Sequence, residues 1–197
     1  MPVRDPAALF ERTRQQWAAR SEHWVFAYGS LIWRPDLDVA ERRDALVHGW
    51  HRALRLRSRV NRGSPERPGL VFTLLSGGSC RGVVYRVRGE RASEEFERLW
   101  AREMPMAVYD PRWLSCRTPQ GVVQALSFTL DRRSAACAPP LANEELLDVM
   151  RHASGRCGRS LDYLVETALA LRRHGLRDRE IERIMRLLRR EGLLEGD

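Results

Sequence analysis

Lysine is missing from this chain of 197 residues: all 34 basic residues are arginine, set against 26 acidic ones for a formal net charge of +8. Such a balance raises attraction to anions in general and bears on solubility and steering more than on role. Cysteine is scarce, with Cys80, Cys116, Cys137 and Cys157 as the full set. No two of them lie at metal-ligand spacing and there is no C-x-x-C, so they read as inert, buried thiols of a reducing compartment. No stretch approaches the roughly 18 unbroken apolar residues of a membrane span. Charges flank Ala7-Ala8-Leu9-Phe10 too closely for a signal peptide, so a soluble, cytoplasmic protein is expected. The nucleophile elbow G-x-S-x-G, the zinc helix H-E-x-x-H, the Walker A loop and G-x-G-x-x-G are also missing, which removes the usual motif support for those chemistries.

What is present suffices for one core, since 43% of residues are hydrophobic in a chain of single-domain length. Residues 7–20 predict an amphipathic helix with Leu9, Phe10 and Trp17 on one side. Trp24 to Tyr28 is a short, β-rich apolar run closed by Gly29-Ser30, as a buried strand would be. Residues 34–44 read as polar loop. Residues 52–57 alternate leucine with arginine, a half-exposed strand. Leu70–Leu75 and Gly82–Arg88 read as two strands of an antiparallel hairpin turning at Gly77-Gly78. Residues 93–103 predict a helix, and 122–130 alternate Leu126, Phe128 and Leu130 against Ala125, Ser127 and Thr129. In the last third, Asn143, Ser160 and Asp178 are candidate caps of three helices. Gly175 ends the second of these and Gly192 the third. On that third helix Ile181, Ile184, Met185 and Leu188 share a face. Strands first and helices last is an α+β order.

Two places can carry chemistry. Tyr28-Gly29-Ser30-Leu31 follows a buried strand, and successive N–H groups of such a turn can cradle a carboxylate or an oxyanion. An ordinary turn reads the same way. In the helix over 93–103, Phe96, Leu99, Trp100 and Glu103 fall on one face. Glu103 is then either a core-facing carboxylate, with a pKa raised toward neutrality as a general base needs, or a fraying end that reaches water. Glu94, Glu95 and Glu97 read as solvated-face or N-terminal acids. His48 and His51 have metal-like spacing, but Gly49 and the strand pattern argue against the helix such a pair needs, and no metal or cofactor is expected. The arginine-rich C-terminal helices imitate a DNA-reading pair, but Glu180, Glu182 and Glu191 break the positive stripe, and a solvated face explains it. No specific nucleic-acid or membrane partner is expected.

The run from Trp24 through Tyr28-Gly29-Ser30-Leu31 to Arg34-Pro35 resembles the opening of the ChaC-like gamma-glutamylcyclotransferases. In family order follow Arg62-Gly63 with Pro68-Gly69, Gly82-Val83-Val84-Tyr85, and Leu99-Trp100-Ala101-Arg102-Glu103-Met104 with Tyr109. Ala138-Pro139-Pro140-Leu141 and the segment from Gly155 to Leu164, with Ser160 and Tyr163, complete the set. The resemblance spans about residues 23 to 188, which leaves residues 1–22 as an N-terminal helical extension to a single domain over 23–192. It implies a small mixed β-barrel with surrounding helices. It also implies cleavage of glutathione to 5-oxoproline and cysteinylglycine without a cofactor. By the same resemblance Tyr28, Gly29, Ser30 and Leu31 hold the gamma-glutamyl group, Glu103 is the base and Tyr163 lines the pocket. Met104-Pro105-Met106-Ala107 stands where some members carry a glycine pair. Arg55, Arg57 and Arg59 are the candidate partners of a substrate carboxylate. The alternative is a non-catalytic, small-ligand-binding member of the same fold.

Overall fold

The computed structural model describes residues 5–194. Helix α1 (Pro6–Ala18) leads into strand β1 (His23–Ala27), a 3-10 turn over Ser30–Ile32, and two long strands, β2 (Val39–Ser58) and β3 (Gly69–Val87). Helix α2 (Ala92–Glu103) and strands β4 (Asp110–Thr118) and β5 (Gly121–Thr129) follow. Helix α3 (Asn143–His152), the short strands β6 (Ser154–Gly155) and β7 (Gly158–Arg159), helix α4 (Ser160–Arg173) and helix α5 (Arg179–Arg190) end the chain. The strands close a barrel in the order β1-β3-β2-β4-β5. The closure is parallel, through Trp24–Ala125 and Val25–Leu126, so the barrel is mixed and the chain is α+β.

Two expectations about the strands are corrected. Residues 70–75 and 82–88 are not the arms of a hairpin. They belong to one strand of 19 residues, β3, and both halves pair with β2. Gly77 and Gly78 take φ of +96° and +71°, and Gly49 opposite them takes +81°. Only glycine adopts such values freely, so the two strands bend together at this point, where the register shifts between His48 and Trp50. The second correction concerns residues 34–44, since Val39–Asp44 already form β2 against Val83–Val87. Their charges sit in pairs, Arg43 with Glu41 at 2.6 Å and Arg42 with Asp44 at 2.7 Å. Each pair joins residues two apart on one face of the strand, the two pairs on opposite faces.

The helices cover the barrel. Trp17 of α1 is 2% exposed, donates its indole N–H to Ala92 O at 2.8 Å, and stacks with Phe96 at 5.6 Å. Leu9 and Phe10 are partly buried beside it. The apolar face expected of α5 is buried as expected, and Asp178 caps that helix through the N–H groups of Glu180 and Ile181. The other two caps shift by one residue. Asn143 and Ser160 are the first helical residues of α3 and α4. Glu145 accepts from the Ala142 N–H at 2.9 Å, and Asp162 accepts from Arg159 at 3.3 Å, so three-residue back-bonds replace the expected caps. In β5 both sets of alternating residues from Ala125 to Thr129 are buried, because the barrel interior lies on one side and covering elements on the other. Cys80, Cys116 and Cys137 are buried, but Cys157 is exposed, against expectation.

Candidate active site

Strand β1 leads into Tyr28, whose buried hydroxyl donates to Phe128 O at 2.7 Å and accepts a hydrogen bond from the Tyr109 hydroxyl. The next residues wind into the 3-10 turn. Ile32 N–H donates to Gly29 O at 3.0 Å and Trp33 N–H to Ser30 O at 3.2 Å. Three consecutive N–H groups, of Gly29, Ser30 and Leu31, have no acceptor in the protein among the described residues. The start of a helical turn leaves its donors open in this way. Leu31 itself is 6% exposed, its side chain in the core, so this residue offers the site its backbone.

Helix α4 brings Tyr163 to that loop. Ser160 spends its hydroxyl on β3 in place of a cap, donating to Leu70 O at 2.9 Å and accepting from Leu70 N–H at 2.7 Å. Tyr163, one helical turn on, accepts from Phe72 N–H at 3.2 Å. A step of three along the helix thus matches a step of two along the strand. Thr167 continues the stripe and accepts from the Trp33 indole at 3.1 Å. The Tyr163 hydroxyl lies so close over Gly29 that a Cβ there would meet it at 2.9 Å. Any larger residue at this point must displace that hydroxyl.

Glu103 is the last residue of α2, with Phe96 and Leu99 buried and the Glu103 side chain 16% exposed, which favours the core-facing of its two readings. Burial pushes its carboxyl above the usual carboxylate range, while the charge and hydrogen bond of Arg102 pull the other way. Burial also raises the hydroxyls of Tyr28, Tyr109 and Tyr163, and the Glu103 charge adds to the rise in each, with Tyr163 reaching about 12. At neutral pH these tyrosines are therefore neutral donors and acceptors. Thr73, fully buried, lies beside the Tyr28 hydroxyl.

Arg102 ties these parts together. Its guanidinium pairs with Glu103 Oε1 at 3.1 Å and donates to Ser30 Oγ at 3.2 Å, Arg34 O at 2.6 Å and Asp36 Oδ2 at 2.8 Å. The carboxylate and the loop thus share one clamp. Other expectations fare differently. Arg55 and Arg57 donate to the carbonyls of Ala138 and Ala135, and Arg59 is exposed. Arg62 stands beside Tyr163, its guanidinium 5.5 Å from that ring and 5.9 Å from Trp33. Its polar contacts are long, 3.4 Å to Arg159 O and 3.9 Å to Glu166. Only its Arg62-Gly63 context marked it in the sequence. His48 and His51 lie on a strand, where Gly49 separates them. Of the two readings of Glu95, the N-terminal one holds, since it lies in the first turn of α2, and the solvated one is corrected, since it is fully buried.

Residues 23–191 match the family described as ChaC-like protein. This chain belongs to that family. The ChaC-like region begins after α1 and includes every residue of the cluster just described. Among curated relatives, a glutathione-specific gamma-glutamylcyclotransferase of Escherichia coli (strain K12) is 34% identical over 156 residues, 79% of this chain and 68% of that protein. Glutathione-specific gamma-glutamylcyclotransferase 1 of Homo sapiens is 31% identical, over 74% of this chain and 68% of its own. In fold, the chain resembles a crystal structure of a yeast gamma-glutamyl cyclotransferase specific to glutathione. The TM-score is 0.79 at 21% identity, covering 87% of this chain and 97% of that one.

Proposed function

We propose that this ChaC-like protein cleaves glutathione to 5-oxoproline and cysteinylglycine, with Glu103 as the general base and then the general acid. Residues 23–192 form the catalytic domain, 1–22 an extension to it, and the cytoplasm is the compartment. Family membership and the names of the relatives support the activity. The observation that carries the assignment of roles is the pairing of a buried, upward-shifted carboxyl with a loop of open N–H donors through one arginine.

The α-amine of the gamma-glutamyl group is an ammonium at neutral pH and has no lone pair to attack with. Glu103 as carboxylate takes one proton from it. The freed amine attacks the gamma-carbonyl carbon of the same residue and closes a five-membered ring. The carbonyl oxygen becomes an oxyanion, which the Gly29, Ser30 and Leu31 N–H groups receive. One such donor is worth about 3 kcal/mol in enzymes that use them. The amide C–N bond then breaks as Glu103 returns its proton to the departing amine of cysteinylglycine, and the second proton of the ring nitrogen follows by the same carboxylate, so that 5-oxoproline keeps one N–H and cysteinylglycine leaves as an ammonium. Water is neither consumed nor released. Both reacting groups belong to one molecule, so the protein supplies geometry, and alignment of that kind contributes about 7–11 kcal/mol in the best cases. Arg62, beside Tyr163, receives a substrate carboxylate. Desolvation sets the carboxyl nearer neutrality, where its transfers are most efficient, and Arg102 keeps it from being neutral throughout.

The test is mass spectrometry of glutathione incubated with the purified chain beside its Glu103→Gln variant. 5-Oxoproline and cysteinylglycine from the wild type alone are expected. Product from both overturns the assignment of the base. Binding without product from a folded wild type overturns the activity and favours a ligand-binding member of the fold.

A further inference from the structure

Arg52 takes no part in the reaction as derived, yet it is 5% exposed and every nitrogen of its guanidinium is committed. Nε donates to Tyr28 O at 2.6 Å, Nη2 to Arg81 O at 2.6 Å, and Nη1 to Asp178 Oδ2. The antiparallel ladder of β1 and β3 runs from His23–Val87 to Ala27–Val83 and stops. Continued in register, it would set Gly29 opposite Arg81. The Arg52 guanidinium occupies that place, holding the carbonyls of Tyr28 and Arg81 itself. All peptides among the described residues are trans. In a trans peptide the carbonyl and the following N–H point opposite ways. A Tyr28 carbonyl fixed on Arg52 therefore turns the Gly29 N–H away from it, unpaired. Asp178 anchors the guanidinium with Oδ2 while Oδ1 caps α5.

We infer that Arg52 is a positioning residue. It ends the β1–β3 ladder and so keeps the Gly29 N–H free and aimed as an oxyanion donor, with Asp178 of α5 as its anchor. This rests on the cyclotransferase reading above. The mutual geometry also explains why a charged pair is kept inside: only a planar fork reaches two carbonyls and a carboxylate at once. A lysine keeps the charge and loses the fork.

The experiment is steady-state release of 5-oxoproline from glutathione by the full chain, its Arg52→Lys and its Asp178→Asn variants. Melting curves accompany it, as does calorimetric binding of glutathione in a Glu103→Gln background. Loss of one oxyanion donor lowers kcat by about 10²–10³-fold, so Arg52→Lys is expected to fall in that range. Its KM and its glutathione affinity are expected to stay as in the parent, a split that general loosening of the fold does not produce. Asn caps helices as well as Asp does, so Asp178→Asn keeps α5 and weakens only the anchor. Its kcat is expected to fall by roughly tenfold, since a neutral acceptor holds a guanidinium less strongly. If Arg52→Lys does not fold, Asp178→Asn decides, and an unchanged kcat there overturns the inference. So does a folded Arg52→Lys with wild-type kcat, or one whose loss lies wholly in KM. A wild-type chain without turnover overturns the parent reading and this one with it, whereas an active wild type beside an equally active Arg52→Lys overturns this one alone.

Discussion

Helix α2 carries a buried carboxylate at each end, and the two have opposite surroundings. Glu95, in the first turn, is fully buried and met by donors: the Asp38 N–H at 3.2 Å and the Arg98 guanidinium at 2.9 Å. It also faces the positive end of the helix dipole, which favours an anion. Glu103, in the last turn, faces the negative end, and Arg102 is its charged partner. That arginine divides itself among Ser30, Arg34 and Asp36 as well. Around Glu103 stand neutral tyrosines. Burial alone thus does not mark a reactive carboxylate. The marks are an incomplete set of donors and a place beside open ones: Glu95 is a staple between α2 and the segment before β2, and Glu103 is free to exchange a proton.

The sharpest way to break this comparison is to neutralise each acid in turn. Glu103→Gln is expected to cost at least about 10²–10⁴ in kcat, the usual worth of a general base, with the melting temperature unchanged or higher. Steady-state release of 5-oxoproline and a thermal melt check both halves. Gly29→Ala is the next largest. Its Cβ would crowd the Tyr163 hydroxyl at 2.9 Å, and turnover is expected to fall at least about tenfold. Tyr163→Phe in the same chain removes the clash, so the double variant should lose less than the sum of the singles, as coupled neighbours do. Glu95→Gln should move stability and leave turnover per folded molecule alone. Loss of a charged hydrogen-bond partner costs about 1.5–3 kcal/mol, readable from urea unfolding.

The smallest expected effect is the pH dependence of stability. The folded pKa of Glu103 is raised by burial, so folding disfavours its ionised form. Below pH 4.5, the ordinary value, both states hold the proton and Glu103→Gln changes little by this route. Above the folded pKa the wild type carries the full cost of a buried charge. The stability advantage of Glu103→Gln is expected to grow from pH 4.5 upward and then level off. Unfolding free energies across that range check the sign.

The sequence showed the parts whose cause is periodic. Apolar phase offered Glu103 the inner face of α2 without excluding a fraying end, and the same rule read the buried face of α5 correctly. Trp24–Tyr28 was legible as a strand because nothing but a buried strand suits so short a β-rich run. The bend in β3 was not. Gly77-Gly78 permits a tight turn and a coiled strand equally, and only the matching Gly49 in the partner strand chooses between them. Ser160 failed for a related reason: its hydroxyl finds better partners on Leu70 than on its own helix, a choice made by tertiary contact. Glu95 was legible as an N-terminal acid of α2 with Arg98 three residues on, but not as a buried one, because the fold brings the Asp38 N–H to it. Arg52 was one arginine among many until the chain had folded around it, and Arg62 was marked only by its place before Gly63.

The account stands on a single proton held at the end of α2, and the pH profile of kcat/KM reads it most directly. It should be measured for the wild type and for Glu95→Gln. The expected profile has an acid limb falling with unit slope, its midpoint above the ordinary carboxylate value of 4.5, and the same midpoint in both proteins. An acid limb at or below 4.5, or one that shifts when Glu95 is neutralised, would contradict it.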